Sequence, residues 1–420
     1  MPRLLTSTGQ NPRRRIVIVG ANFAGLSAAQ HLGREHAVTV IDRSAWFEWL
    51  PNIHELLSGV KRPGILRLSR ARLLARTGHR FVRATVAAID APAMKVVTAN
   101  GRQVGFDACI VAVGGVNDTF GVPGAERYAM PFKSVDHCEA IGRTLARLAR
   151  RSGALSVVIV GGGLEGVEAL GEVLRRYRHR SQLTIGVIEG APTLLPGMPV
   201  ALDAAVRARC APYDVRFHTS TLVTKVTRSR IHLSSGGSVH SDLTIWTGGA
   251  TAPALLHASG LAETPKQWAP VTEALRSRTF PNVFVIGDAA ALPHPIGKQA
   301  YYAMQMGACA ADNVVRALAG RTLRTFAPSA KPMLISLGDL DTFFVSGDTV
   351  IAAPALAVLK EAVFQTTMAQ IDPPLGADAL WGARARLAIA GEKLALPTLT
   401  SLDAIGRLCS VRLLARTADA

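Results

Sequence analysis

The chain has 420 residues, 49% of them hydrophobic and 18% charged, which excludes a disordered polypeptide and leaves room for two or three domains with sizeable cores. Its 47 Lys and Arg against 30 Asp and Glu give a formal charge of +17, read either as a solvated basic surface or as attraction to anionic membranes, acidic partners or nucleic acid. No zinc spacing and no basic-aromatic strand signature occurs, so a nucleic-acid module is not expected.

Cys109, Cys138, Cys210, Cys309 and Cys409 are scattered without a C-x-x-C, which fits a reducing, cytoplasmic home rather than a disulfide framework. The first fifteen residues lack the apolar core of a secretory signal, and no apolar run reaches the ~18 residues of a membrane span. Any membrane contact is therefore expected to be peripheral.

In chain order, RIVIVG (Arg15–Gly20) reads as a buried strand that runs into Gly20-Ala21-Asn22-Phe23-Ala24-Gly25 and a helical stretch. A second strand, AVTVID, ends at Asp42, the acid that a ribose-binding position requires. Gly20 permits the tight turn and Gly25 the close helix–strand packing, while the helix N-terminus offers N–H groups to a pyrophosphate. Asn22 replaces the usual middle glycine; Asn tolerates unusual φ values better than most residues. The aromatic SAWFEWLPNIHELLSG that follows either walls a cofactor or packs as core, and its lone His54 reads as structural. FVRATVAAID and MKVVTA read as a small hairpin, and FDACIVAVGG as another buried strand ending at Gly114 and Gly115.

The pattern then repeats. SVVIVG leads into Gly161-Gly162-Gly163-Leu164-Glu165-Gly166, a helical stretch, and the strand LTIGVIE ending at Glu189. Gly161, Gly163 and Gly166 fill all three glycine positions, and a carboxylate at Glu189 favours NADH over the 2′-phosphate of NADPH, which stays open. Two fingerprints imply two dinucleotides, and FAD with NAD(H) is the economical pair. The glycine-ended strand Leu243–Gly249 hands the chain back to the first domain, and VFVIGDAAAL closes the cofactor site. Its Gly287-Asp288 lets backbone approach a ligand and offers a carboxylate to sugar hydroxyls, ahead of a helix expected from about Lys298 that includes Ala300. Further on, LISLGDLDTFFVSG reads as an extended pair, ALAVLKEAVFQ as an amphipathic helix and LDAIGRLCSVRLLAR as a basic amphipathic helix suited to a membrane surface, its own domain or a dimer partner.

The expected fold is α/β: a discontinuous FAD domain (1–120 and 250–325), an inserted NAD(H) domain (121–249) and a C-terminal α+β region (326–420). The chain resembles the two-dinucleotide-domain flavoproteins, and within them the type II NADH dehydrogenases and the apoptosis-inducing-factor-like quinone reductases of the ferroptosis-suppressor type. VVIVGGGLEGVEALGE, FPNVFVIGDAAAL and KQAYYAMQMGACAADNVV with MLISLG carry the resemblance, which runs from about Arg15 to Gln370. It implies that Glu168 stands beside the nicotinamide, that Asp288 holds the flavin's ribityl chain, and that the segment with Tyr301 and Gln305 lines the acceptor pocket. Tyr301 stands where the dehydrogenases carry a first Gln, and Gln305 persists. The cysteines of the sulfide:quinone branch and the redox Cys pair of disulfide reductases are absent.

The expected activity is hydride transfer from NADH through FAD to an acceptor: a quinone first, with a ferredoxin or small molecule as the alternative, or a redox-sensing role in which the cofactors control dimerisation. Glu168 is assigned to positioning nicotinamide. Lys298, near a helix N-terminus, is assigned to stabilising charge on the reduced flavin. No metal site is expected.

Overall fold

The computed structural model describes residues 13–373 and 410–416. These fall into two compact units. Of the described residues, the first comprises 13–47, 69–115 and 251–329, the second 48–68, 116–250, 330–373 and 410–416.

In the first unit, the β-branched run Arg15–Val19 forms the central strand of a five-stranded parallel sheet. Its neighbours in order are Val283–Val285 and Ala108–Val111 on one side, Ala37–Asp42 and Arg80–Arg83 on the other. Ile16 to Val19 are at most 3% exposed, as expected of a strand covered on both faces. Helix Phe23–His31 packs against helix Ala300–Leu318, where a Cβ at Gly307 would stand 2.4 Å from the Ala24 carbonyl oxygen. The Ser27 hydroxyl donates to the Met304 carbonyl at 2.7 Å across the crossing. The expected hairpin is present as Val86–Asp90 paired with Lys95–Thr98; Phe81–Arg83, expected at its start, belongs to the parallel sheet.

The second unit repeats the plan. Leu155–Val160 lies at the centre of a parallel sheet in the order Ala129–Pro131, Leu243–Trp246, Leu155–Val160, Leu183–Ile188, Val215–His218. Helix Leu164–Tyr177 follows the central strand and meets strand Met333–Leu337 so closely that a Cβ on Gly171 would lie 2.1 Å from the Gly338 nitrogen. That strand opens an antiparallel sheet with Asp341–Ser346, Thr349–Ala352 and Arg412–Ala415.

The last of these corrects the sequence reading: Arg412–Ala415, placed in a basic amphipathic helix, is a strand paired with Thr349–Ala352. Leu413 remains 60% exposed on it, and Arg412 reaches the Asp341 carboxylate, which is fully buried and also bonded by Arg209 at 2.8 Å. A sheet edge with free backbone groups and a buried acid with room for two cations outweigh the helical spacing of the leucines. The remainder of that reading, and the membrane or dimer role attached to it, falls on 374–409 and 417–420, outside the described residues.

The aromatic stretch resolves into core. Phe47 is fully buried edge-on to Phe23 at 5.2 Å, and Trp49 sits edge-on to Phe364 at 5.7 Å. Trp46 alone of the three is open, at 44%.

Candidate functional site

Each parallel sheet ends in a glycine turn braced by the acid of the next strand. In the first unit Gly20 has φ +95, and a Cβ there would lie 2.3 Å from the Ala112 carbonyl oxygen; one on Gly25 would lie 1.9 Å from that of Gly20. Both positions therefore exclude any side chain. Asn22 begins the helix at φ −94 and ψ −149 without capping it by its side chain. The unusual φ that motivated Asn there is not required. Asp42 Oδ2 accepts from the Ala21 N–H at 2.8 Å. Its Oδ1 accepts from Ser44 N–H at 2.8 Å and from Arg70 Nη1 at 2.6 Å. Arg70, almost wholly buried, also donates through Nε to the Ala21 carbonyl at 2.9 Å.

Sequence reasoning missed Arg70, which reads only as part of a basic stretch. The separation between it and Asp42 closes only when the parallel sheet forms. Gly287, with φ +66, lies against Ala24 and Ala303, so the closing motif meets the first helix and the first turn of helix Ala300–Leu318. Gly114 has φ +64 with open space where a Cβ would be. Gly20, Asn22, Gly25, Asp42, Gly287, Asp288 and Ala300 thus gather at the end of one sheet.

The second unit shows the same device. Gly162 N–H donates to Glu189 Oε2 at 2.6 Å, and Ala191 N–H to its Oε1 at 2.8 Å. A Cβ on Gly166 would stand 1.9 Å from the Gly161 carbonyl oxygen, and Gly161 has φ +105. Gly163 starts the helix with no side-chain cap and nothing within 4 Å of its Cβ position. An open cradle before a helix N-terminus is what a dinucleotide pyrophosphate needs. Both loops therefore fit the expected cofactors. Both acids, expected as ribose acceptors, also hold the shape of their own loops.

Glu168 lies on the second turn of helix Leu164–Tyr177 inside a buried cluster of charges. Its Oε1 pairs with Lys360 Nζ and accepts from Ser336 N–H at 3.3 Å, while His54 Nδ1 lies 3.2 Å from its Oε2. Burial pushes the Glu168 carboxyl up, against the opposing pull of the Lys360 charge and hydrogen bond; Glu55 adds a like charge that also raises it. His54 is therefore a partner of the predicted nicotinamide-side acid, not an isolated core histidine. One turn further, the fully buried Glu172 accepts from the Ser58 hydroxyl. Lys61, Glu55 and Glu361 complete the buried set. Helical spacing links Glu168 to Glu172 in the sequence, but nothing local links either to His54 or Lys360.

In the first unit Lys298 precedes helix Ala300–Leu318, which starts two residues later than expected. Its ammonium donates to the Asp288 carbonyl at 2.8 Å and stands over the Trp268 ring. Burial of the ammonium pushes its pKa down to about 8, with the charge of Asp288 opposing. One turn into the helix, Tyr301 and Gln305 meet at Ser329. The Tyr301 hydroxyl is 3.1 Å from Ser329 Oγ, Gln305 Nε2 donates to that oxygen at 2.6 Å, and Ser329 N–H donates back to Gln305 Oε1 at 3.1 Å. Ser329 was not anticipated either.

Cys109, Cys138 and Cys210 are buried free thiols and Cys309 is half-buried; burial pushes Cys210 up to about 12 and Cys109 and Cys138 up as well. None has the lowered pKa of a nucleophilic cysteine. Among the described residues no group of three or more His, Cys, Asp or Glu is placed to hold a metal, and no helix is long and apolar enough to cross a membrane.

Two parallel sheets, each with a side-chain-intolerant glycine turn braced by an acid, define an oxidoreductase with two dinucleotide-binding domains. Residues 14–307 match the pyridine nucleotide-disulphide oxidoreductase family, and the chain belongs to it. It is an FAD-dependent NAD(P)H oxidoreductase. The type II NADH:quinone oxidoreductase of Staphylococcus aureus is 27% identical over 387 residues, which cover 84% of this chain and 94% of that protein. The structure of NDH2 from Plasmodium falciparum in complex with NADH superposes with a TM-score of 0.77 at 16% identity, over 91% of this chain and 99% of the other. The sulfide:quinone oxidoreductase of Aquifex aeolicus gives 0.75 at 17% identity, over 95% and 97%.

Proposed function

We propose that this enzyme is an NADH:quinone oxidoreductase. FAD supplies the two-electron carrier between NADH and the acceptor. The observation that carries the reading is the near full-length match to a relative of that activity, supported by the buried Glu168 cluster in the NADH-side unit. In this reading the loop Gly161–Gly166 with Glu189 holds NADH, and Gly20–Gly25, Asp42, Gly114 and Asp288 hold FAD. Glu168 positions the nicotinamide. Lys360 and His54 fix its two oxygens, so the carboxylate keeps one orientation. The Tyr301–Ser329–Gln305 group belongs to the acceptor side. Its hydroxyls and amide suit the carbonyl oxygens of a quinone as donors.

The test uses holoenzyme under anaerobic conditions. NADH should bleach the flavin band, and a short-chain quinone should restore it at least tenfold faster than a [2Fe–2S] ferredoxin at equal concentration. Faster restoration by ferredoxin would replace quinone as the acceptor.

Two variants test the assigned residues. Glu168→Gln removes a charge-assisted bond to Lys360, worth roughly 1.5–3 kcal/mol. Flavin reduction by NADH should slow on the order of 10- to 100-fold, while reoxidation by quinone stays unchanged. Lys298 carries its charge below pH 8 and loses it above. In the proposed FAD site this ammonium would offer positive charge at pH 7 and lose it through about pH 8. Wild-type reduction rates should show an inflection near pH 8 that Lys298→Met lacks; parallel profiles would remove Lys298 from the mechanism.

A further inference from the structure

At the other end of helix Ala300–Leu318 from Tyr301 and Gln305, the first unit carries a wide, solvent-open cavity of about 730 Å³ that no dinucleotide loop accounts for. Its rim holds three arginines, Arg276, Arg278 and Arg321, with one acid, Glu273. Arg276 and Arg278 stand two residues apart on an extended segment that bridges Phe284, so their side chains share a face. Among the described residues none of the three guanidinium groups has a carboxylate at ion-pair distance; the one side-chain bond they make is Arg278 Nε to the Val271 carbonyl at 3.4 Å. Thr322 and Thr325 also line the cavity, with Thr272, whose Oγ1 is buried without a hydrogen-bond partner among the described residues.

The walls are fixed in place. Asn313, fully buried, donates to the Ala274 carbonyl at 2.9 Å and to the Arg324 carbonyl at 2.8 Å, and accepts from Arg324 N–H at 2.8 Å. Phe326 N–H donates to the Glu273 carbonyl at 2.8 Å. One side chain thus bolts the hairpin that carries Arg276 and Arg278 to the segment that carries Arg321. Such preorganisation lowers the entropy cost of binding.

We propose that this cavity is a recognition site for phosphate groups, separate from both dinucleotide sites. Three guanidinium forks against one carboxylate leave two uncompensated positive charges, and Arg binds phosphate oxygens bidentately where Lys offers a point charge. Thr322, an exposed lining residue, supplies a hydroxyl as a neutral donor to a phosphate oxygen. The volume admits a ligand well beyond a single phosphate. The same chemistry is offered by a soluble polyphosphate and by an anionic phospholipid headgroup. The inference does not depend on which acceptor the enzyme uses.

The experiment compares flavin-loaded wild type with Arg276→Gln/Arg278→Gln/Arg321→Gln and with a charge-matched control, Arg102→Gln/Arg147→Gln/Arg228→Gln, whose arginines are exposed and outside the cavity. Inorganic pyrophosphate binding is measured by calorimetry, and recruitment to vesicles of phosphatidylglycerol with phosphatidylcholine by sedimentation. Equal flavin content and equal NADH–ferricyanide turnover establish that all three are folded. Binding of either probe should weaken at least tenfold in the cavity variant and stay at the wild-type level in the control. Loss with pyrophosphate identifies a soluble ligand, and loss confined to vesicles a lipid headgroup. Equal behaviour of cavity and control variants, or no wild-type binding of either probe at low millimolar concentration, overturns the proposal.

Discussion

Protein carrying Gly25→Ala is expected to purify with no bound flavin, or with occupancy reduced at least tenfold. The added methyl would sit 1.9 Å from the Gly20 carbonyl oxygen and 3.2 Å from the Ala112 methyl. Neither neighbour is the end of a flexible side chain, so the turn itself has to open. Opening it moves the Ala21 N–H away from Asp42 and tilts the helix whose first N–H groups would face the pyrophosphate in the proposed FAD site. Gly64→Ala is the matched control: nothing lies within 4 Å of its Cβ position, and it should keep full flavin content. The ratio of visible to ultraviolet absorbance of the purified proteins decides the matter. A fully yellow Gly25→Ala protein would show that this turn does not hold the flavin.

Lys61→Met should destabilise the protein by about 3–5 kcal/mol, the usual cost of leaving a buried charge without its partner. The Lys61 side chain is fully buried, 2.7 Å from Glu361 Oε2, 3.4 Å from Glu55 Oε2 and 4.2 Å from the centre of the Phe364 ring. Removing the ammonium leaves two carboxylates facing each other away from water. Glu361 is on helix Leu356–Ile371 and Glu55 on the short helix Glu55–Ser58, so the loss loosens both elements around Glu168. Adding Glu361→Gln to Lys61→Met should recover about half of the loss, because one of the two stranded charges is then gone. Denaturant unfolding followed by fluorescence measures both. A single variant within 1 kcal/mol of wild type would mean that water reaches this cluster.

The elements that sequence made legible share one property: their signals are local. The runs RIVIV and LSVVIV, the glycines that follow them and the acids at Asp42 and Glu189 fall within short windows, and each recurs in the structure where the spacing puts it. The misreadings have one cause as well. Leucine spacing in 402–414 suits a helix, yet Arg412–Ala415 pairs as a strand because an open edge and the buried Asp341 compete for the same residues. The aromatics of 46–49 look equally suited to a cofactor wall and to core until Phe23 and Phe364 are brought to them.

By itself the sequence determined the class: two βαβ turns that admit no side chain, each with an acid at the next strand end, commit the chain to two dinucleotides. Only the tertiary structure decided which partners Glu168, Asp42, Tyr301 and Gln305 have. His54 and Lys360 meet Glu168 across long stretches of chain, Arg70 locks Asp42, and Ser329 joins Tyr301 to Gln305. The physical reason is that a glycine turn is specified by backbone sterics between near neighbours, whereas a buried charge takes whichever partner the packing delivers.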